Sequence, residues 1–327
     1  MSTAPKLAIV GILIFLTAAV SAPFALAGET ATASPVDLVR RAVHNEVASN
    51  QADTGSRFMF KDLKKTPQLS QTKLLVETQE ATAGLVIMQN GRPLSPQEKQ
   101  AEDARLQNYV QNTSELRKKK KQEKEDAEHT ERILKALPDA FLYQRDGTQV
   151  GREGLGAPGD ELLQLNFRPN PNYNPPSHVE QVLTGMSGHI LIDTKQERIA
   201  EIDGTLQKEV GFGWGILGHL DPGGRFLVQQ ADVGDHHWEV THMELSFTGK
   251  VLFVKKLSIH SSDTFSDFHP VPANLTFAQG VDLLKKQAAE NHSFNGTVQA
   301  ENHKETAQSR KKSEATDEAD KTLCCDR

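Results

Sequence analysis

Three histidines stand close together at His236, His237 and His242, with Asp232 and Asp235 beside them. Imidazole and carboxylate groups at short spacing are the raw material of a metal site. Neighbouring residues of a strand point to opposite faces, however, so one face cannot use both His236 and His237. His242 shares its expected strand face with Trp238 and Val240, and neither H-E-x-x-H nor a Cys/His spacing occurs. Gly185-Met186-Ser187-Gly188 approaches a nucleophile elbow but departs from G-x-S-x-G and precedes a hairpin instead of a helix. The glycine-rich link with Gly151, Gly154, Gly156 and Gly159 lacks the lysine and following Ser/Thr of a phosphate loop. No catalytic residue, metal ligand or cofactor follows from these patterns. Over Val210–Leu217, Phe212, Trp214 and Ile216 alternate with Gly211, Gly213 and Gly215. A strand bare on one face can bend sharply or let another body approach its backbone. It can form a barrel corner packed as core, or it can line a cavity for an apolar ligand.

Those residues sit in a run from Met186 to Phe268 that reads as an antiparallel meander. Expected strands are Ser187–Asp193, Arg198–Leu206, Val210–Leu217, Arg225–Gln230, Trp238–Phe247 and Val251–Ile259, with turns at Asp221-Pro222-Gly223-Gly224 and Thr248-Gly249-Lys250. Upstream, Ser34-Pro35-Val36-Asp37 starts a helix that carries Val36, Val39, Val43 and Val47 on one face. This helix packs on the sheet or lids a cavity. Strands are expected at Arg57–Lys65, Lys73–Thr78 and Gly84–Gln89, and further ones at Phe141–Tyr143 and Leu162–Phe167. Between them, residues 95–137 read as a charged helical insertion projecting from the sheet. It opens on the capping box Ser95-Pro96-Gln97-Glu98, has a candidate break at Asn112-Thr113-Ser114, and stops at Pro138. Its run Lys118–Lys121 is a solvated face whose attraction to a membrane surface is weakened by Glu123, Glu125, Asp126 and Glu128. Val179–Leu183 and Phe277–Ala288 are short helix candidates.

The chain has 327 residues and a formal net charge of −6, which provides no electrostatic footprint for nucleic acid. Lys6 precedes the uncharged run Leu7–Ala27, and Ala25-Leu26-Ala27 offers small residues for cleavage before Gly28. Residues 1–27 are therefore expected to be a cleaved signal peptide, with an uncleaved anchor as the alternative. Cys324 and Cys325, the two cysteines, are adjacent and close to the C-terminus, so no disulfide holds the expected folded part, 28–290. Asn291–Arg327 is polar and poor in apolar residues, and reads as a disordered tail.

Gly188-His189-Ile190-Leu191-Ile192-Asp193-Thr194 and Trp238-Glu239-Val240-Thr241-His242-Met243-Glu244 resemble the late strands of periplasmic outer-membrane lipoprotein carriers and their sorting relatives, the LolA-like proteins. Asn90–Phe141 resembles a bacterial branch of the same superfamily. The resemblance spans about 30–290 and rests on pattern. It implies an α+β, mainly β fold: a strongly curved antiparallel sheet or unclosed β-barrel, covered by helices, with an apolar cavity for acyl chains. The expected lining is Phe212, Trp214, Ile216, Phe226, Trp238 and Val240. The expected function is non-enzymatic binding or carriage of a lipid or lipoprotein acyl chain in the periplasm. The alternative is an envelope protein-interaction or sensor module that uses the charged helix as its partner surface.

Overall fold

The structure, a computed structural model, describes residues 34–51, 56–212, 218–251 and 255–290. The expected signal peptide and tail, together with Trp214 and Ile216, lie outside the described residues.

Short apolar-alternating runs broken by Gly, Asn and Pro build a 13-stranded sheet. The strands are β1 Arg57–Lys65, β2 Ser70–Val76, β3 Ala83–Gln89, β4 Arg92–Pro93, β5 Phe141–Val150, β6 Glu161–Pro169, β7 Met186–Asp193, β8 Arg198–Leu206, β9 Val210–Phe212, β10 Gly218–Leu220, β11 Arg225–Asp232, β12 Trp238–Val251 and β13 Lys255–Val271. The helices are α1 Pro35–Gln51, α2 Pro96–Gln111, α3 Thr113–Ala140 and α4 at 277–290. The spatial order β4-β3-β2-β1-β13-β12-β11-β8-β7-β6-β5 is antiparallel throughout. Its two ends, β4 and β5, do not pair, so the sheet is open. Hairpin β9–β10 lies off this path against the end of β12.

β13 divides the sheet. It pairs with β12 over Lys255–Thr264 and with β1 over Ser262–Val271, so only Ser262, Asp263 and Thr264 are paired on both sides. β1–β4 form a short half; β5–β12 form a long half. Directly paired residues share a face. The partners Leu165–Ile190–Ile202–Val228–Met243–Asp263–Lys64 therefore trace one inner face across both halves. The long half buries this inner face: Leu165, Ile190 and Ile199 pack under Val39 and Val43 of α1 and Leu137 of α3. The short half buries the outer one: Met59, Leu74 and Val76 pack against Leu106 of α2 and Phe277, Val281 and Leu284 of α4.

Local chemistry explains the helix ends. Ser95 and Glu98 form the reciprocal capping box expected from their spacing, and Asn112 caps α3 through Ser114 N and Glu115 N. Hydrogen bonds to Arg92 and to Ser95 hold the Glu98 carboxyl down at about 2.

Four expectations are corrected. α3 does not stop at Pro138 but runs to Ala140. Pro138 removes one N–H near the end, while Tyr143 Oη donates to Leu137 O (2.8 Å) and Asn170 N to Ala140 O (2.8 Å), so the last carbonyls are satisfied. α3 also does not project from the sheet. Leu116 packs on the short half's core and Leu137 on the long half's, so its two apolar ends lie in different cores. Val210–Leu217 is not one strand, because Gly218 pairs back on Phe212. Thr248-Gly249-Lys250 is no turn either, since β12 continues through it. A Cβ on Gly249 would lie 2.1 Å from His219 O, so this glycine admits the backbone of β10 instead.

Candidate functional site

A cavity of about 1210 Å³ lies on the inner face. Ile202, Phe226, Val228 and Met243 form its floor, and Ile133, Leu134 and Leu137 of α3 roof it. α1 is clamped over one side. Glu46, only 2% exposed, accepts two hydrogen bonds from Arg198 (2.9 and 2.8 Å) and one from Ile199 N (2.9 Å). Arg41 and Asn45 hold Glu197 in the adjoining β7–β8 turn. On the opposite side, Glu123 of α3 accepts from Thr82 N at 3.1 Å, tying the middle of the helix to the short half's β2–β3 loop.

Three of the expected residues, Phe226, Val240 and Trp238, border the cavity. Trp238 does so only at its rim. Its bulk belongs to an outer cluster with Leu155, Leu162 and Leu191, its Nε1 donates to Gln196 Oε1 at 2.9 Å, and the Arg198 guanidinium lies 5.4 Å from its ring. Phe212 closes β9, and its side chain is outside the described residues, as are Trp214 and Ile216.

Met243, Val228, Ile202 and the α3 residues escaped the sequence reading. Strict alternation puts Met243 opposite Val240. A bulge at Thr241 breaks that alternation: Gln230 pairs with Val240 and Gln229 with His242. Val240 and Met243 then share the inner face, while His242 turns outward to Thr264 Oγ1 (3.2 Å) and Thr241 donates to Gly154 O (2.7 Å). The α3 contribution had a visible signal, the apolar residues at that helix's C-terminal end.

The cavity is polar towards the short half, where Arg57, Glu77 and Glu239 line it. Burial, and then repulsion from Glu77, pushes the Glu239 carboxyl up to about 7, with Arg198 opposing. Burial also raises Glu77, opposed by the Phe58 N–H and by Arg57. Ser56 Oγ and His237 Nε2 lie 2.8 Å apart at this end. A serine beside a histidine invites a nucleophilic reading. Among the described residues, however, no carboxylate hydrogen-bonds His237; instead its ring meets Phe58 edge-on at 5.6 Å. The pair joins the residue before β1 to the residue before β12. His236, on the exposed loop, faces Asp232 at 3.5 Å, so the histidine group read from the sequence is dispersed. The described cluster closest to a metal-ligand set is Glu209, His219 and Asp221 at hairpin β9–β10, whose ligand atoms lie within 4.8 Å of one another. Among the described residues, no helix is long and apolar enough to cross a membrane.

No family model matches this chain, and no curated protein matches it. Among solved structures, it is similar to a Vibrio parahaemolyticus domain described as an outer membrane lipoprotein-sorting protein domain. Identity is 10% and the TM-score 0.25, over 71% of this chain and 93% of that one. So low a TM-score gives the likeness no bearing on the site, which stands on this chain's own geometry.

Proposed function

We propose that the protein is a non-enzymatic binding or carrier module that holds the acyl chains of a lipid or lipoprotein in this cavity, working in the periplasm after export. The cavity carries the reading. At about 1210 Å³ it exceeds the roughly 300–1,000 Å³ of common small-molecule sites, and its floor and roof are aliphatic or aromatic. Each CH₂ moved from water into such a lining contributes roughly 0.8 kcal/mol, so an unreactive chain can bind through burial alone. The charged stretch of α3 suits the alternative partner surface less well. Lys119, Lys121, Lys124 and Lys135 are each engaged by a glutamate four residues away on the same helix.

The test is binding of a fluorescent fatty acid to wild type and to Val228→Asp. Val228 is a half-buried floor residue. An unpaired carboxylate in the floor repels an apolar chain. The variant is expected to lose binding while keeping a native circular dichroism spectrum. Wild-type protein that neither binds fatty acid nor co-purifies with lipid by mass spectrometry would sink the proposal.

A further inference from the structure

The inner face of the short half is not covered by α2 and α4, which pack on the outer one. What it bears is aromatic. Phe58 and Phe60 alternate on β1, and a bulge at Asp267 (φ 57°) brings Phe265 and Phe268 of β13 onto the same face although they are three residues apart. The rings form one connected row. Phe58 meets Phe268 edge-on at 6.3 Å, Phe268 stacks on Phe60 at 5.2 Å and 23°, and Phe60 meets Phe265 edge-on at 6.0 Å. Phe60, Phe265 and Phe268 are only half-buried.

The row begins inside the cavity, because Phe58 lines it. Beside Phe58 the sheet is split. β12 pairs with β13 only from His242 onward, and beyond Thr264 β13 pairs only with β1. Val240 and Met243 border the cavity on one side of this seam and Phe58 on the other, with the Ser56–His237 hydrogen bond across it. At its far end the row meets charge: Asp62 and Asp263 share the face, and Lys64 Nζ binds Asp263 at 2.8 Å.

We infer that this aromatic row is the outer part of the binding site, on which lies the portion of a long acyl chain that overruns the cavity. The inference rests on the cavity reading and deepens it: the preferred ligand is a long, extended chain instead of a compact apolar molecule. Continuity singles out this occupant. The row shares a residue with the cavity and opens from it at the seam, so a chain leaving the cavity there passes the polar group of Arg57, Glu77 and Glu239 on one side and continues over ring faces. The charges at Asp62, Lys64 and Asp263 mark where that apolar path stops.

The experiment compares stearate with octanoate on the full chain, each competing with a fluorescent fatty acid. Extended from the cavity, stearate is expected to reach the row, and octanoate, less than half as long, is not. The double substitution Phe60→Ser and Phe268→Ser is expected to weaken stearate about tenfold and to leave octanoate within about twofold, as the loss of two ring contacts implies. Phe60→Leu with Phe268→Leu, which keeps the surface apolar, is expected to retain both. Should the double serine variant fail to fold, Phe265→Gln at the far end of the row provides the same comparison. Equal loss of both acids in a folded variant would make the row a support for the cavity and overturn the inference, and so would no change in either. Unchanged stearate binding with a shifted size-exclusion elution would assign the row to a second copy of the chain and overturn it too. Wild-type protein that binds neither acid overturns the cavity reading, and this one with it.

Discussion

The long half covers its inner face with α1 and α3, and the short half covers its outer face with α2 and α4. Both halves belong to one sheet, joined where three residues of β13 are paired on both sides. The difference shows how an open sheet can hold a cavity. Were both halves covered on the inner face, helices would fill the space where the cavity and the aromatic row now lie. Covering opposite faces gives each half its own core and leaves the concave surface between them unfilled.

The largest expected effect tests the long half. Glu46→Ala leaves Arg198 buried without its partner, and breaking such a pair costs about 3–5 kcal/mol. Urea denaturation is expected to register that loss. A change below about 1 kcal/mol would mean that the clamp does not hold α1.

Leu106→Ala is the matching test in the short half. Leu106 is 1% exposed, and its truncation is expected to cost about 2–4 kcal/mol. Because that core is on the face away from the cavity, fatty-acid affinity is expected to be unchanged where the variant is folded. Lost binding in folded protein would show that the two faces are not independent.

A smaller effect is expected from Glu239, between the halves. Its folded-state pKa of about 7 lies above its ordinary 4.5, so the folded protein keeps a proton that the unfolded chain releases. Through this group, stability is greatest at low pH and falls as pH rises from about 4.5 to about 7. Glu239→Gln should remove that slope and raise stability by about 1 kcal/mol at pH 8, on the order expected for a half-buried carboxyl. Thermal melting across that range checks it; an unaltered pH slope would place the titration elsewhere.

The smallest effect concerns a single cap. Ser95→Ala removes the acceptor for Glu98 N and is expected to cost about 1 kcal/mol. Hydrogen exchange is expected to rise in the first turn of α2 and not in α1, whose long-half core it does not touch.

The elements with strong local chemistry were legible in the sequence. Ser95–Glu98, the break at Asn112 and the turn at Asp221–Gly224 all follow from residue type. Antiparallel pairing followed from strands with short turns, whereas an open sheet was implied only by the resemblance to the LolA-like proteins. What escaped was tertiary. Gly249 reads as a turn residue until β10 is seen to pair closely beside it, and Val240 and Met243 read as opposite faces until Thr241 bulges out. The floor and roof of the cavity escaped for the same reason: a floor residue is an ordinary strand hydrophobe until the covering helix is known. Nor does hydrophobic alternation say which face each half of the sheet will cover.

α3 anchors in both cores, at Leu116 and through Ile133, Leu134 and Leu137, and between Arg117 and Arg132 no side chain packs into either core. Its 28 residues span about 42 Å at about 1.5 Å per residue. Such a segment behaves as a ruler: what it transmits depends on how many turns it has, and little on which residues compose them. Exchanging charges along it, Glu123 excepted, should matter little, whereas adding one turn should drive the anchors about 5 Å further apart and widen the mouth between the halves. Spin labels placed on the two halves would read that displacement directly, and an unchanged spacing would show the helix bowing instead of pushing.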